Sequence, residues 1–124
     1  MSESAISSGV SREAYFAAKA LLPDGPLSLE ILSAELGTSP RTLQRRLSED
    51  GQSFSELIRR VQLEVSSRLL EDTSLTIGDI SKRVGFSSQT SFSRAFHCWT
   101  GLSPRAFRRQ HDLARDVIHE PKLP

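Results

Sequence analysis

The second half of this chain repeats the first half at a nearly constant spacing. Four residues recur as similar residues 48 positions later, which pairs Leu29, Leu32, Leu36 and Gly37 with Ile77, Ile80, Val84 and Gly85. The spacing then grows to 49, pairing Leu43, Arg45 and Leu47 with Phe92, Arg94 and Phe96, and to 50, pairing Gly51 and Ser53 with Gly101 and Ser103. A duplicated pattern of apolar residues and glycines indicates two copies of one supersecondary unit.

Apolar residues recur at intervals of three and four along both copies, which is the period of an amphipathic helix. No run of strand length alternates apolar and polar residues. Capping residues predict seven helix starts, at Ser11, Ser28, Ser39, Ser53, Thr76, Ser88 and Ser103. Glycines and prolines predict the helix ends, at Pro23-Asp24-Gly25-Pro26, Gly37, Gly51, Gly85, Gly101 and Pro121. The sequence therefore predicts an all-α fold of seven helices.

Each copy combines a helix, a glycine turn and a capped second helix, which is the helix-turn-helix plan. A long helix, opened by the capping box Ser53-x-x-Glu56, connects the two copies. We expect a linker or leftover segment at 1–9, a first helix-turn-helix subdomain at 10–52, a linker helix at 53–72 and a second subdomain at 73–110. The C-terminal tail, 111–124, keeps Leu113, Val117 and Ile118 at helical spacing, so the last helix is expected to continue into it.

The third predicted helix has the polar face that a DNA-reading helix needs. Leu43 and Leu47 lie four residues apart and must face the core. That leaves an outward stripe near the helix N-terminus, formed by Arg41, Gln44, Arg45 and Ser48. Arginine can donate two hydrogen bonds to guanine, and glutamine can pair with adenine in the same two-pronged way. We predict base contacts from Arg41, Gln44 and Arg45.

The sixth predicted helix has an equivalent face. Its inward side is expected to carry Phe92, Ala95, Phe96 and Trp99, and its outward side Gln89, Thr90, Ser93 and Arg94. Short hydroxyl and amide side chains with one arginine allow close approach to base edges. Arg45 and Arg94 fall at equivalent positions of the two copies, so we predict that both read bases, together with Gln89, Thr90 and Ser93.

Phosphate contacts in protein–DNA complexes come from helix N-termini and from basic or hydroxyl side chains. The candidates are Ser39, Arg46, Arg59, Ser88, Ser103, Arg105, Arg108 and Arg109. About 19 residues of linker helix at ~1.5 Å each span about 28 Å, near the ~34 Å repeat of one DNA turn. A helix of this length could hold two recognition helices in successive major grooves.

Charge supports a polyanionic partner, and the remaining composition excludes several classes of protein. Residues 39–109 hold twelve basic and seven acidic side chains, a net charge of +5, whereas the whole chain has a net charge of +1. No apolar run approaches the ~18 residues of a membrane span, and the N-terminus lacks the features of a secretory signal. The single cysteine, Cys98, excludes an intrachain disulfide, and we expect it to be a small buried thiol between Phe96 and Trp99. His97, His111 and His119 lack the spacing of a metal site, so no metal or cofactor is expected.

In two stretches the chain resembles the DNA-binding domain of the AraC/XylS family of bacterial transcription regulators. They are Gly37-Thr38-Ser39-Pro40-Arg41-Thr42-Leu43-Gln44-Arg45-Arg46-Leu47 and the string of motifs Gly85-Phe86, Phe92-x-Arg94-x-Phe96 and Gly101-x-Ser103-Pro104-x-x-Phe107-Arg108. The resemblance covers about residues 10–109. It implies a seven-helix domain with two subdomains, and base contacts from the third and sixth helices that fall on Arg41, Gln44, Arg45, Gln89, Thr90 and Arg94.

The resemblance also implies partners. Double-stranded DNA is the expected ligand, RNA polymerase is a candidate partner, and a membrane is not expected. Members commonly carry a separate effector-binding or dimerisation domain, so this chain is expected to be an excised domain or a short member that is monomeric by itself. A cytoplasmic, nucleoid-associated location follows from the same resemblance.

Two rival interpretations use other features of the sequence. A helical module that docks another regulator or RNA polymerase would have the same fold without needing Arg45 and Arg94. An enzyme would need a nucleophile triad, a phosphate loop or a carboxylate pair, and none of these is visible in the sequence. We therefore expect a binding protein and no enzymatic activity.

Overall fold

The computed structural model describes residues 9–22 and 27–119, with side chains up to residue 114. This part of the chain contains seven helices and no strands. They are α1 (Gly9–Leu21), α2 (Leu29–Glu35), α3 (Pro40–Glu49), α4 (Phe54–Asp72), α5 (Ile77–Arg83), α6 (Gln89–Thr100) and α7 (Pro104–His119). The predicted all-α fold is confirmed. No helix in the described ranges combines the length and the apolar character needed to cross a bilayer.

The chain divides within α4 into two compact units, Met1–Glu64 and Val65–Pro124. In the first unit α3 packs against α1 and α2. The side chains that fill this core are small or aliphatic: Ala14, Ala18, Leu22, Leu32, Leu43, Leu47, Leu57 and Val61 are all buried. Burial of one face of each helix is what stabilises these short helices, since helices of this length are marginal in isolation.

In the second unit α6 packs against α5 and α7 around an aromatic core. Phe92 and Phe96 are fully buried, and their ring centroids lie 5.7 Å apart. The Phe107 ring meets Phe96 edge-on at 5.2 Å, and Phe86 lies 5.5 Å from Phe92 and 6.2 Å from Trp99. Contacts at these distances add about 0.5–1.5 kcal/mol per pair beyond the area they bury.

The turns of the two units repeat each other. Gly37 and Gly85 end the first helix of each pair with φ of 68° and 89°, a left-handed conformation that side chains disfavour. Just before each turn, a buried serine bonds the carbonyl three residues back: the Ser33 hydroxyl donates to Glu30 at 3.1 Å, and the Ser81 hydroxyl donates to Gly78 at 2.7 Å. Ser33 and Ser81 lie 48 residues apart and extend the duplication beyond the pairs seen in the sequence.

Most predicted caps are confirmed. The hydroxyls of Ser28, Ser39, Thr76 and Ser88 each accept a hydrogen bond from the amide three residues later. In the capping box, the Ser53 amide donates to Glu56 Oε1 at 2.9 Å, and the Glu56 amide donates back to the Ser53 hydroxyl at 3.1 Å.

The first predicted cap is wrong. Helix α1 begins at Gly9, so Ser11 lies inside its first turn, where it is buried and donates a 2.6 Å hydrogen bond to Asp50 Oδ2. A serine near a helix start usually indicates a cap, but the Ser11 hydroxyl bonds a residue distant in the chain and does not cap its own helix. The last helix continues to His119, as expected from the tail. The predicted stops at Pro23-Asp24-Gly25-Pro26 and Pro121 lie outside the described residues.

Candidate nucleic-acid interface

Helix α3 presents a strongly basic surface in the first unit. Leu43 and Leu47 are fully buried, as predicted, and this fixes the rotation of the helix. The opposite side is exposed and carries Arg41, Gln44, Arg45 and Ser48, and Arg46 is also exposed but lies off that stripe. Three guanidinium groups on about two helical turns form a cationic surface next to the Ser39 end of the helix.

Helix α6 presents a less charged surface in the second unit. Gln89, Thr90 and Arg94 are exposed and Ser93 is half-buried. These four predicted base-reading residues line one shallow concavity of about 690 Å³ together with His97 and Cys98. The amide oxygen of Gln89 lies against Gly78 at the start of α5, so closely that an added methyl group there would come within 3.2 Å. The absence of a side chain at Gly78 thus leaves room for the Gln89 side chain.

The prediction that Cys98 is buried is wrong, because its thiol is exposed and lines this concavity. Its neighbours along the chain, Phe96 and Trp99, suggested an apolar environment. Position on a helix depends instead on the spacing of three and four residues, which puts Cys98 one turn after Arg94 on the outward face. The helical periodicity of the sequence therefore predicts an exposed Cys98, whereas its two neighbours in the chain do not.

The serines predicted to contact phosphate act as helix caps in this structure. The hydroxyl of Ser39 accepts from the Thr42 amide at 3.1 Å and donates to the Thr42 hydroxyl at 2.9 Å. Ser88 has the same arrangement with Ser91, at 3.0 Å for both bonds. Ser103 accepts from the Ala106 amide at 3.1 Å. Each cap orients the start of a helix, where backbone amides point outward and favour an anion.

Arg108 has a structural role that differs from the predicted phosphate contact. Its guanidinium is half-buried and donates to four backbone carbonyls: Leu70 at 3.0 Å, Leu75 at 2.7 Å, Thr73 at 3.1 Å and Leu69 at 3.4 Å. These carbonyls belong to the end of α4 and the segment that follows, where a helix leaves acceptors unpaired and favours a positive charge. As a basic side chain Arg108 is predicted from the sequence to contact phosphate, whereas in this structure its guanidinium bonds carbonyls of the protein backbone.

The other predicted phosphate-binding arginines are exposed: Arg46, Arg59, Arg105 and Arg109. Their neighbour Arg60 differs, because its guanidinium lies 5.1 Å from the centre of the Tyr15 ring and donates to Gln52 Oε1 at 3.3 Å. Within the side chains described here, no three His, Cys, Asp or Glu residues converge on a position that could hold a metal ion.

Comparison with known proteins shows what this chain is similar to. The model of the helix-turn-helix domain family matches residues 32–110. The HTH-type transcriptional regulator VirS of Mycobacterium tuberculosis is 36% identical over 91 residues, which are 73% of this chain and 27% of VirS. The chain therefore spans about a quarter of the length of the curated relatives it matches.

Two solved structures extend the similarity to the fold. The C-terminal domain of AraT, a response regulator from Geobacillus stearothermophilus, is 34% identical with a TM-score of 0.70, covering 82% of this chain and 85% of that one. The DNA-binding domain of AdpA, a global transcriptional factor solved in complex with a target DNA, is 26% identical with a TM-score of 0.72, covering 86% and 96%. Together with the duplicated helix pairs, these matches establish that the chain belongs to the helix-turn-helix domains of the AraC/XylS family.

Proposed function

We propose that this chain is the DNA-binding domain of a bacterial transcription regulator, and that α3 and α6 read base pairs in two successive major grooves. The observation that carries the proposal is the matched pair Arg45 and Arg94. Both are exposed at equivalent positions of two helices whose opposite faces are fully buried. Burial fixes the rotation of each helix, so each arginine projects from a defined surface.

The chemistry of the α3 surface fits a guanine-containing half-site. Arg41 and Arg45 can each donate two hydrogen bonds to guanine O6 and N7, and Gln44 can pair with adenine N6 and N7. Arg46 lies off that stripe and is assigned to a phosphate. All four side chains are exposed.

The chemistry of the α6 surface fits a half-site read at closer range. Gln89, Thr90 and Ser93 are shorter and uncharged, and they share one concavity with Arg94. Arg94 is the one arginine in that set, so we assign it one guanine contact. The hydroxyl and amide groups would hydrogen-bond the edges of neighbouring base pairs. The similarity to the AdpA domain, whose structure contains a target DNA, supports duplex DNA as the ligand.

Contacts to the DNA backbone are assigned to exposed arginines and helix starts. Arg46, Arg59, Arg105 and Arg109 supply charge, and the capped starts at Ser39, Ser88 and Ser103 supply backbone amides. Arg108 is omitted because its guanidinium bonds four carbonyls. In the whole regulator, further regions would sense a signal or dimerise, and bound protein would recruit or block RNA polymerase on the nucleoid in the cytoplasm. The domain has no enzymatic role in this proposal.

The test is selection of this domain from random duplexes, followed by affinity measurements against salt. We expect two enriched blocks centred about 10–10.5 bp apart, one helical turn of DNA. Affinity for the selected duplex should exceed that for a scrambled duplex by about 10³-fold or more. Binding without any enriched sequence would contradict base reading, and no binding to duplex DNA would favour a protein-docking module instead.

A further inference from the structure

One difference between the two recognition surfaces is a histidine. His97 lies 49 residues after Ser48, the same spacing that relates Arg94 to Arg45, so the two occupy equivalent places on α6 and α3. Both side chains are exposed, and His97 lines the same concavity as Gln89, Thr90, Ser93 and Arg94. An imidazole is therefore present on the second surface where the first has a hydroxyl.

The place of His97 along the helix suits a backbone contact. The N-terminal residues of a recognition helix reach base edges, and residues further along leave the groove floor. His97 is one turn, about 5.4 Å, beyond Ser93 on the same face. In the proposed complex, a side chain one turn further along the helix can reach the sugar-phosphate backbone beside the base pairs assigned to Ser93 and Arg94.

Among the described residues that line the concavity with His97, none is a carboxylate. The other titratable groups in the concavity are Arg94 and Cys98. The helices packed against α6 carry further described charges that do not line it: Asp79, Lys82, Arg83, Arg105, Arg108, Arg109 and Asp112. His111, on α7, faces Glu71 instead, with Nδ1 and Oε2 4.0 Å apart. Within this described lining, no carboxylate would compete with a phosphate oxygen for the imidazole.

We propose that His97 binds a DNA phosphate at the edge of the second half-site, and that its protonation makes recognition of this half-site stronger as pH falls while the first half-site is insensitive. The inference rests on the proposed function. An imidazolium donates a charge-assisted hydrogen bond to phosphate, whereas a neutral imidazole lacks the charge. Because the complex favours the protonated form of the imidazole, binding to the phosphate is coupled to the uptake of a proton.

The experiment is a binding titration at constant ionic strength from pH 5.5 to 8.0. Two duplexes are compared, one with both selected half-sites and one with the second half-site scrambled. The variants are His97→Gln, which cannot gain a charge, and His97→Lys, which keeps one throughout. His111→Gln is the matched control, because it removes a histidine of the same unit that lies outside the concavity. Circular dichroism at both pH limits verifies that each variant is folded.

We expect the wild-type domain to bind the intact duplex about threefold to tenfold more tightly at pH 5.5 than at pH 8.0. His97→Gln should lose most of this dependence, His97→Lys should bind with nearly the low-pH affinity at every pH, and His111→Gln should behave like the wild type. The duplex with the second half-site scrambled should keep a similar dependence, because a phosphate contact does not require a particular base sequence. Specific binding with the same pH dependence in His97→Gln as in the wild type would overturn the role of His97 and leave the proposed function standing. Absence of binding to either duplex at any pH would overturn both.

Discussion

The two units of this protein share one plan but fill it with different residues. The core of the first unit is built from alanine, leucine and valine, whereas that of the second is built from stacked phenylalanines with Trp99 at its edge. Leu43 and Leu47 are fully buried, and so are their counterparts Phe92 and Phe96. The plan therefore depends on which positions are apolar, and each unit has its own solution for packing them.

The surfaces differ as much as the cores. Helix α3 exposes three arginines, and α6 exposes Arg94 among shorter polar groups. Because glycine turns and serine caps fix the helices in both units, their outward faces can differ without any cost to the fold. We therefore expect two half-sites of different sequence, with a larger electrostatic contribution to binding from the first unit.

The largest effect is expected in the aromatic core. Phe96→Ala should destabilise the second unit by about 3–5 kcal/mol, and the equivalent Leu47→Ala should destabilise the first by about 2–4 kcal/mol. The chain contains one tryptophan and one tyrosine, Trp99 and Tyr15, which lie in different units and report unfolding of each separately. Urea unfolding followed at both residues measures the two losses. A greater loss in Leu47→Ala than in Phe96→Ala would contradict the stronger packing assigned to the aromatic core.

Arg108 tests a feature that only the second unit has, because the equivalent residue of the first unit, 50 positions earlier, is Ile58. Arg108→Met keeps much of the side-chain volume but leaves carbonyls of Leu70, Thr73 and Leu75 without their charged donor. We expect a loss of about 2–4 kcal/mol in the free energy of unfolding reported by Trp99.

Arg108→Lys is the matched control for that loss, since it retains the charge without the planar fork of donors. It should recover less than half of the stability. If Arg108→Met instead left stability unchanged and only weakened DNA binding, the residue would be a ligand contact, as the sequence first indicated.

The matched arginines are expected to contribute equally to binding and little to folding. Arg45→Ala and Arg94→Ala should each cost about 1–3 kcal/mol of binding free energy on the selected duplex. Both side chains are exposed, so melting temperatures should stay within about two degrees of the wild type. Fluorescence anisotropy gives the affinities. A loss confined to one variant would mean that only one unit reads bases.

The smallest effect is expected from a phosphate contact. Arg109→Ala should weaken binding to selected and scrambled duplexes by the same factor, and should reduce the slope of log affinity against log salt by about one. Affinities at four salt concentrations measure that slope. An unchanged slope with altered sequence preference would move Arg109 to the base-reading set.

Much of the fold could be predicted because its signals are local. Helix starts at Ser39, Ser53 and Ser88 depend on residues within one turn, and the glycine ends depend on backbone conformation at single positions. The duplication added a second, independent indication of each element. Ser11 could not be assigned in this way, because its partner, Asp50, lies 39 residues away in the chain.

The two exposed surfaces of the candidate site could be predicted from the sequence. The roles of individual residues on and near them were harder to predict. Burial of the leucines and phenylalanines at three- and four-residue spacing decided which side of α3 and α6 faces outward. The same rule, applied to Cys98, would have placed it beside Arg94. The role of Arg108 could not be predicted, because its carbonyl partners at the end of α4 are close to it in the fold but far from it in the sequence.

The measurement that tests the central claim most directly is selection from random duplexes by the wild-type domain, Arg45→Ala and Arg94→Ala in parallel. Two enriched blocks are expected for the wild type. Arg45→Ala should lose sequence preference at one base pair of one block, and Arg94→Ala at one base pair of the other block, with the remaining positions unchanged. Loss of preference in the same block for both variants, or in neither, would contradict the assignment of one half-site to each unit.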